Sequence, residues 1–169
     1  MFSGCTSLVT APELPATTLA DNCYNNMFYD CTSLVTVPSI LPATTLVNNC
    51  YYYMFYGCTS LTTAPELPAT KLATYCYSNM FYGCTSLTTA PELPATTLAD
   101  GCYSDMFYGC TSLNYIKALF TTTTGLSYTS NWVSGVSSTG TFVKNAAATW
   151  DVTGVHGIPE GWTVETATA

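Results

Sequence analysis

Met54–Asn79 reads MFYGCTSLTTAPELPATKLATYCYSN, and Met80–Asp105, immediately after it, reads MFYGCTSLTTAPELPATTLADGCYSD. The two stretches differ only at Lys71/Thr97, Thr74/Asp100, Tyr75/Gly101 and Asn79/Asp105. Working outward, MFSGCTSLVTAPELPATTLADNCYNN starts at Met1 and MFYDCTSLVTVPSILPATTLVNNCYYY at Met27. A fifth unit opens as MFYGCTSL at Met106 and then diverges. The second unit carries one extra residue, between Pro38 and Pro42. A repeat of about 26 residues is one supersecondary unit that buries its apolar face only by stacking on its neighbours.

The four differing positions suggest where solvent lies. Residues 71, 74, 75 and 79 fall at i, i+3, i+4 and i+8, which is one stripe of an α-helix. The unchanged Leu72, Cys76, Met80 and Cys84, widened by Tyr77 and Phe81, form a second stripe. The spacing therefore predicts a helix with a varied outer face and a fixed inner one. Thr70 or Thr96 would cap its start, and the glycine of Tyr-Gly-Cys would end it. Leu87-Thr88-Thr89-Ala90-Pro91-Glu92-Leu93-Pro94 reads instead as a short strand. Threonine favours extended backbone, and the prolines exclude helix and confine pairing to two or three residues before Ala-Pro. The expected fold class is α/β: a solenoid of one short strand and one short helix per repeat over residues 1–120, with a C-terminal capping module over 121–169.

The pattern CTSLxxAPxLPATxLxxxCYxxMFYGC resembles the BspA-like, or Treponema pallidum-type, leucine-rich repeats of surface proteins in Bacteroides-type gut bacteria and oral bacteria. In that family Cys-x-x-Leu opens the strand segment and Ala-Phe-x-x-Cys closes the helix. Here Met-Phe-Tyr-Gly-Cys stands in the closing position, at Met54–Cys58 and Met80–Cys84. The resemblance covers residues 1 to about 120, and the tail NWVSGV...GTFVKN...GIPEGWTV is similar to the segment that often follows such repeats. It implies a leucine-rich-repeat fold, surface exposure and partner binding, and no chemistry. The chain departs from the pattern in carrying alanine where the strand usually has Ile or Val, and in its double proline. Both bear on strand length rather than on fold.

Beyond Asn114 the period fails, as expected of a terminal repeat. Tyr115–Phe120 reads as a last repeat strand, Ser127–Val136 as a short helix, and Thr141–Lys144 and Trp162–Glu165 as extended pieces. Trp132, Trp150 and Trp162 are the only tryptophans. They are expected to seal the open end of the core; the alternative is an aromatic platform for sugar rings.

Composition narrows function. Charged residues make up 8% of the chain, there is no arginine, and Lys71, Lys117 and Lys144 are the only lysines in a net charge of -7. Such a surface repels phosphate backbones and anionic membranes, so no nucleic-acid partner is expected. No apolar run is long enough to insert in a membrane. Residues 1–5 lack signal-peptide character, and Met1 falls in register with the later repeat methionines. The chain is thus either the gene start or an excised fragment, the second being favoured, with the parent protein extracellular or on the cell surface. The first repeat has no polar cap, which suggests self-association through its uncovered end.

The residue types offer little chemistry. Nine cysteines at odd count, with no Cys-x-x-Cys, give no zinc or redox motif. On a helix Cys76 and Cys84 would lie about 12 Å apart. Packed helices would hold equivalent cysteines about 10 Å apart. A disulfide needs Cα atoms within about 7 Å, so the thiols are read as free and buried, with no disulfides. His156 is the sole histidine, in a glycine-rich turn. No catalytic set, metal site or cofactor is expected, and the chain is read as a non-enzyme. Two rows could recognise a partner. One is Thr10, Thr36, Thr63 and Thr89 with Glu13, Glu66 and Glu92, the row being broken at Ser39. The other is Tyr29, Tyr56, Tyr82 and Tyr108, whose alternative role is mutual stacking as structural mortar. The expected function is adhesion through a protein or host-surface glycan ligand. Two other classes stay open: a structural or receptor-binding phage component, and a carbohydrate-binding module.

Overall fold

A computed structural model describes residues 1–121 and 127–168; 122–126 and 169, which fall in the expected capping module, lie outside the described residues. Successive repeats are stacked coils, each bonded directly to the next through the backbone. The stacking is most regular where helices were expected, and there the expectation fails. No α-helix occurs among the described residues; 74–83 and its equivalents are continuous turns.

The bonding explains why. Tyr24, Asn26, Phe28 and Asp30 donate their N–H groups to the carbonyls of Cys50, Tyr52, Met54 and Tyr56 in the next coil, at 2.7–2.9 Å. The residues between them close local turns, as Asn25 N–H does on the Asn22 carbonyl and Met27 N–H on the Tyr24 carbonyl. The pattern recurs in the next coil, where Tyr51, Tyr53, Phe55 and Gly57 donate to Cys76, Ser78, Met80 and Tyr82. Every second peptide unit thus points its N–H at the following coil and its C=O at the preceding one. Backbone groups that a helix would satisfy internally are satisfied half by local turns and half along the stack. Every fourth residue takes a left-handed φ: Asn22, Asn26 and Asp30, then Asn49, Tyr53 and Gly57, then Tyr75, Asn79 and Gly83. A helix excludes that conformation, whereas Asn, Asp and Gly tolerate it. Asn79, expected on a solvent face, is buried.

The four-residue spacing still sorts inside from outside. Cys76, Tyr77, Met80, Phe81 and Cys84 are buried, as are Cys102, Tyr103, Met106, Phe107 and Cys110. Phe2, Phe28, Phe55, Phe81 and Phe107 form one column of stacked rings at 5.5–5.8 Å. Tyr24, Tyr51, Tyr77 and Tyr103 form another at 5.7–6.1 Å.

The strand of each early repeat also shrinks. In the first four units it survives as single parallel bridges, such as Thr10 to Thr36 and Thr89 to Tyr115. Prolines on either side of each Glu-Leu pair remove the donors a longer ladder needs. The extra residue of the second unit is absorbed locally, since Thr36 and Thr63 are 27 apart yet Ile40 bridges Glu66. Among the described residues full strands form only beyond Pro94, the last proline of the repeats: β1 (Tyr115–Ala118), β2 (Thr141–Lys144) and β3 (Thr163–Thr166), parallel and in that order. Their register, Tyr115 to Thr141 to Thr163, continues the bridge from Thr89 to Tyr115.

The helix expected over Ser127–Val136 is likewise a further layer of turns. Tyr103, Asp105, Phe107 and Gly109 donate to the carbonyls of Tyr128, Ser130, Trp132 and Ser134. At its far side the Asn131 N–H is capped by Nδ1 of His156 at 2.9 Å. The three tryptophans are buried, and their indole N–H groups bond the carbonyls of Gly157, Phe120 and Ser137. They offer no open ring face to a sugar.

Candidate functional site

The thiols first, because seven of the nine are buried and all nine are free. The 10 Å separation inferred from helix packing does not apply, since directly bonded backbones lie about 4.8 Å apart. The thiols remain free within that closer spacing. Cys31, Cys58, Cys84 and Cys110 each donate Sγ–H to the phenylalanine carbonyl of an earlier coil, at 3.0–3.2 Å. Burial pushes Cys58, Cys102 and Cys110 up to about 12. A thiol held protonated is a poor nucleophile and a poor metal ligand.

Thr10, Thr36, Thr63, Thr89, Glu13, Glu66 and Glu92 are all exposed. Glu66 and Glu92 border a cleft of about 560 Å³ walled by Pro65, Pro68, Pro91 and Pro94. Glu92 is paired with Lys117 at 2.9 Å, so the acidic row is partly neutralised. Exposed pairs of this kind hold weakly.

The tyrosine row has the more specific geometry. Tyr29, Tyr56, Tyr82 and Tyr108 are half-buried and stacked at 4.6–4.7 Å, with ring planes within 14°. The spacing matches that of bonded backbones, so each ring rides on the coil beneath it. Against this row stand tyrosines that periodicity alone did not single out. Where other repeats carry Asn25-Asn26, Ser78-Asn79 or Ser104-Asp105, the second carries Tyr52-Tyr53. The Tyr53 ring lies 5.4 Å from Tyr56 at 57° and 6.3 Å from Tyr29 at 62°. Tyr52 meets Tyr53 edge-on at 4.2 Å, and Tyr75 reaches Tyr52 at 6.4 Å. Together with Asn26 and Asn79, Tyr29, Tyr52, Tyr53, Tyr56 and Tyr82 line a concavity of about 400 Å³. No residue lining it also lines the Pro-Glu cleft.

Tyr53 and Tyr75 are the only left-handed residues that are not Asn, Asp or Gly among the described residues. A bulky side chain there costs about 1–2 kcal/mol, and such strain gathers at binding sites. Hydrogen bonding to Tyr52 first, and then burial, raise Tyr53 to about 12. Burial raises Tyr56 and Tyr82 as well, aided by neighbouring tyrosines and by Asp30 and Asp105 respectively. The rings therefore stay neutral near pH 7.

A stack of near-identical coils bonded backbone to backbone, with an aromatic concavity on one wall, is the architecture of a repeat protein. The chain belongs to the BspA type leucine rich repeat region family, which matches residues 1–124 in six copies. That family is one of protein-interaction repeats, typically surface or secreted, and is not an enzyme family. No curated protein and no solved structure matches the chain. Among the described residues no helix is long and apolar enough to cross a membrane.

Proposed function

We propose that the chain is a non-catalytic adhesion module of a bacterial surface or secreted protein, which binds a protein ligand through its tyrosine wall. The observation carrying this reading is the concavity where the Tyr52-Tyr53 pair meets the stacked tyrosine row. Tyrosine supplies a large contact area at low entropic cost and is enriched at interfaces. The strained backbone of Tyr53 and Tyr75 supports the same assignment. The Thr/Glu row is the secondary candidate, its cleft being exposed but partly neutralised by Lys117.

The test is binding of the intact chain to arrayed host and bacterial surface proteins beside a glycan array. A protein ligand should be captured, and Tyr56→Ala with Tyr82→Ala should weaken it at least about tenfold. Thr63→Ala, Glu66→Ala, Thr89→Ala and Glu92→Ala combined should leave it within about twofold. The reverse pattern, or glycan capture without protein capture, overturns the assignment.

A further inference from the structure

We propose that the cleft between the third and fourth repeats (Met54–Asn79 and Met80–Asp105) is a separate binding site. It takes an extended segment of a second partner protein and holds one basic side chain of that segment between Glu66 and Glu92. On the strand side, backbone bonds join the first repeat to the second, the second to the third and the fourth to the fifth. The Ala11 N–H donates to the Thr36 carbonyl at 2.8 Å, the Leu41 N–H to Glu66 at 3.0 Å and the Leu93 N–H to Lys117 at 3.0 Å. Among the described residues no such bond joins 59–72 to 85–98. The cleft of about 560 Å³ opens at that boundary, lined by Pro65, Leu67, Pro91 and Pro94 beside the two glutamates. It shares no lining residue with the tyrosine concavity, so the two sites are tested separately.

The opening leaves ladder bonds unmade. By equivalence with Leu41, the Leu67 N–H would reach the Glu92 carbonyl. By equivalence with Glu66, which donates to Ser39 at 2.8 Å, the Glu92 N–H would reach the Pro65 carbonyl. None of these groups has a backbone partner among the described residues, although Leu67 is only 3% exposed. A donor on so buried a residue lowers stability until an acceptor answers it. Backbone donors and acceptors on facing strand segments are what an added extended peptide pairs with.

Charge explains the opening and selects the occupant. At this level the stack carries Ile40, Glu66, Glu92 and Lys117 in successive repeats. Ile40 bridges Glu66, and Glu92 pairs with Lys117 at 2.9 Å. Between them carboxylate stands opposite carboxylate, and like charges directly opposite weaken strand pairing. Pro91–Thr96 repeats Pro65–Thr70 letter for letter, yet it closes on the fifth repeat, where Lys117 answers Glu92. Glu66 is in no ion pair among the described residues, and no basic residue lines the cleft. A cation set between the two carboxylates turns their repulsion into attraction.

The test uses the intact, isotope-labelled chain and the peptide acetyl-Val-Lys-Val-amide, followed by amide shifts and hydrogen exchange. In the free chain the Leu67 amide should exchange about tenfold faster than those of Leu41 and Leu93. The peptide should shift the Leu67 and Glu92 amides, saturate in the millimolar range and slow Leu67 exchange. The matched glutamine peptide should bind at least about threefold more weakly. So should the lysine peptide methylated on its backbone nitrogens, which keeps the charge and loses the ladder donors, again by at least about threefold. Glu66→Lys supplies the cation from within the chain. Leu67 should then become as protected as Leu41, and peptide affinity should fall at least about threefold. Equal binding of the glutamine or methylated peptide overturns the inference, as does calcium chloride that reproduces the amide shifts without peptide. So does the absence of any shift up to about 20 mM peptide, a Leu67 amide already as protected as Leu41 in the free chain, or unchanged affinity in the folded Glu66→Lys variant.

Discussion

Gly83→Ala tests the left-handed backbone of the turn stack by the sign of its effect. Gly83 has φ +70°, and a methyl added there would find nothing closer than the Gly57 Cα at 3.9 Å. Space is therefore available, and the cost is conformational. Forcing an L-residue into the left-handed region costs about 1–2 kcal/mol. Stiffening the unfolded chain returns about 0.4–1 kcal/mol of that, leaving a net loss of about 1 kcal/mol. At a urea slope of about 2 kcal/mol/M the midpoint should fall by about 0.5 M, with the slope unchanged. Only with a helical, negative φ at residue 83 would alanine gain about 0.5–1 kcal/mol and the midpoint rise. Gly83→Asn should lose less than Gly83→Ala, because asparagine already occupies the left-handed position at Asn79. A midpoint that rises for alanine refutes the turn geometry.

Tyr103 is fully buried, and among the described residues its hydroxyl has no hydrogen-bond partner. Tyr103→Phe should therefore raise the urea midpoint, by an amount corresponding to about 1 kcal/mol. A thiol reagent at pH 8 should modify Cys5 and Cys23 quickly and the seven buried cysteines only after unfolding; fast reaction of more than two would contradict the packing. Stability should be at its full value below pH 9, where thiols are protonated in both the folded and unfolded states. It should then fall between about 9 and 12 as the unfolded state loses protons that Cys58, Cys102 and Cys110 retain. Each such thiol contributes a slope approaching about 1.4 kcal/mol per pH unit, and a urea midpoint constant from pH 8 to 11 would rule this out. His156→Ala removes the acceptor that caps the Asn131 N–H and should lower the midpoint by the equivalent of about 1 kcal/mol, checked against its hydrogen-exchange protection.

Much of the site was visible as chemistry before it was visible as geometry. The row Tyr29, Tyr56, Tyr82 and Tyr108 followed from the period alone, because equivalent residues in stacked coils must stand in line. Tyr52 and Tyr53 were also in plain sight, as the one place where a tyrosine pair replaces Asn-Asn, Ser-Asn or Ser-Asp. What one-dimensional reading lacked was the knowledge that residues 52 and 53 border the same concavity as 26, 29, 56, 79 and 82. The strain at Tyr53 and Tyr75 became legible only once their neighbours' asparagines and glycines were known to be left-handed.

The amino-acid order by itself determined the coil length, the insertion between Pro38 and Pro42, and most of the Leu, Cys, Met and Phe side chains that go inside, though Cys5 and Cys23, read as buried, are exposed in the first coil and Leu72 is only half-buried. These follow from periodicity and hydrophobicity, whatever the backbone does locally. Tertiary structure alone decided what the backbone does between Ala20 and Cys31 and in the equivalent segments. Apolar residues every four positions fit a helix of 3.6 residues per turn and a four-residue turn repeat about equally well. Hydrogen bonds between coils break the tie: once Phe28 N–H reaches the Met54 carbonyl instead of a carbonyl four residues back, the helix has no ladder left to form. The sequence did carry one trace of that outcome, the Asn, Asp and Gly residues recurring every fourth place at 22, 26 and 30 and at 79 and 83. They are the residues for which a left-handed backbone costs least.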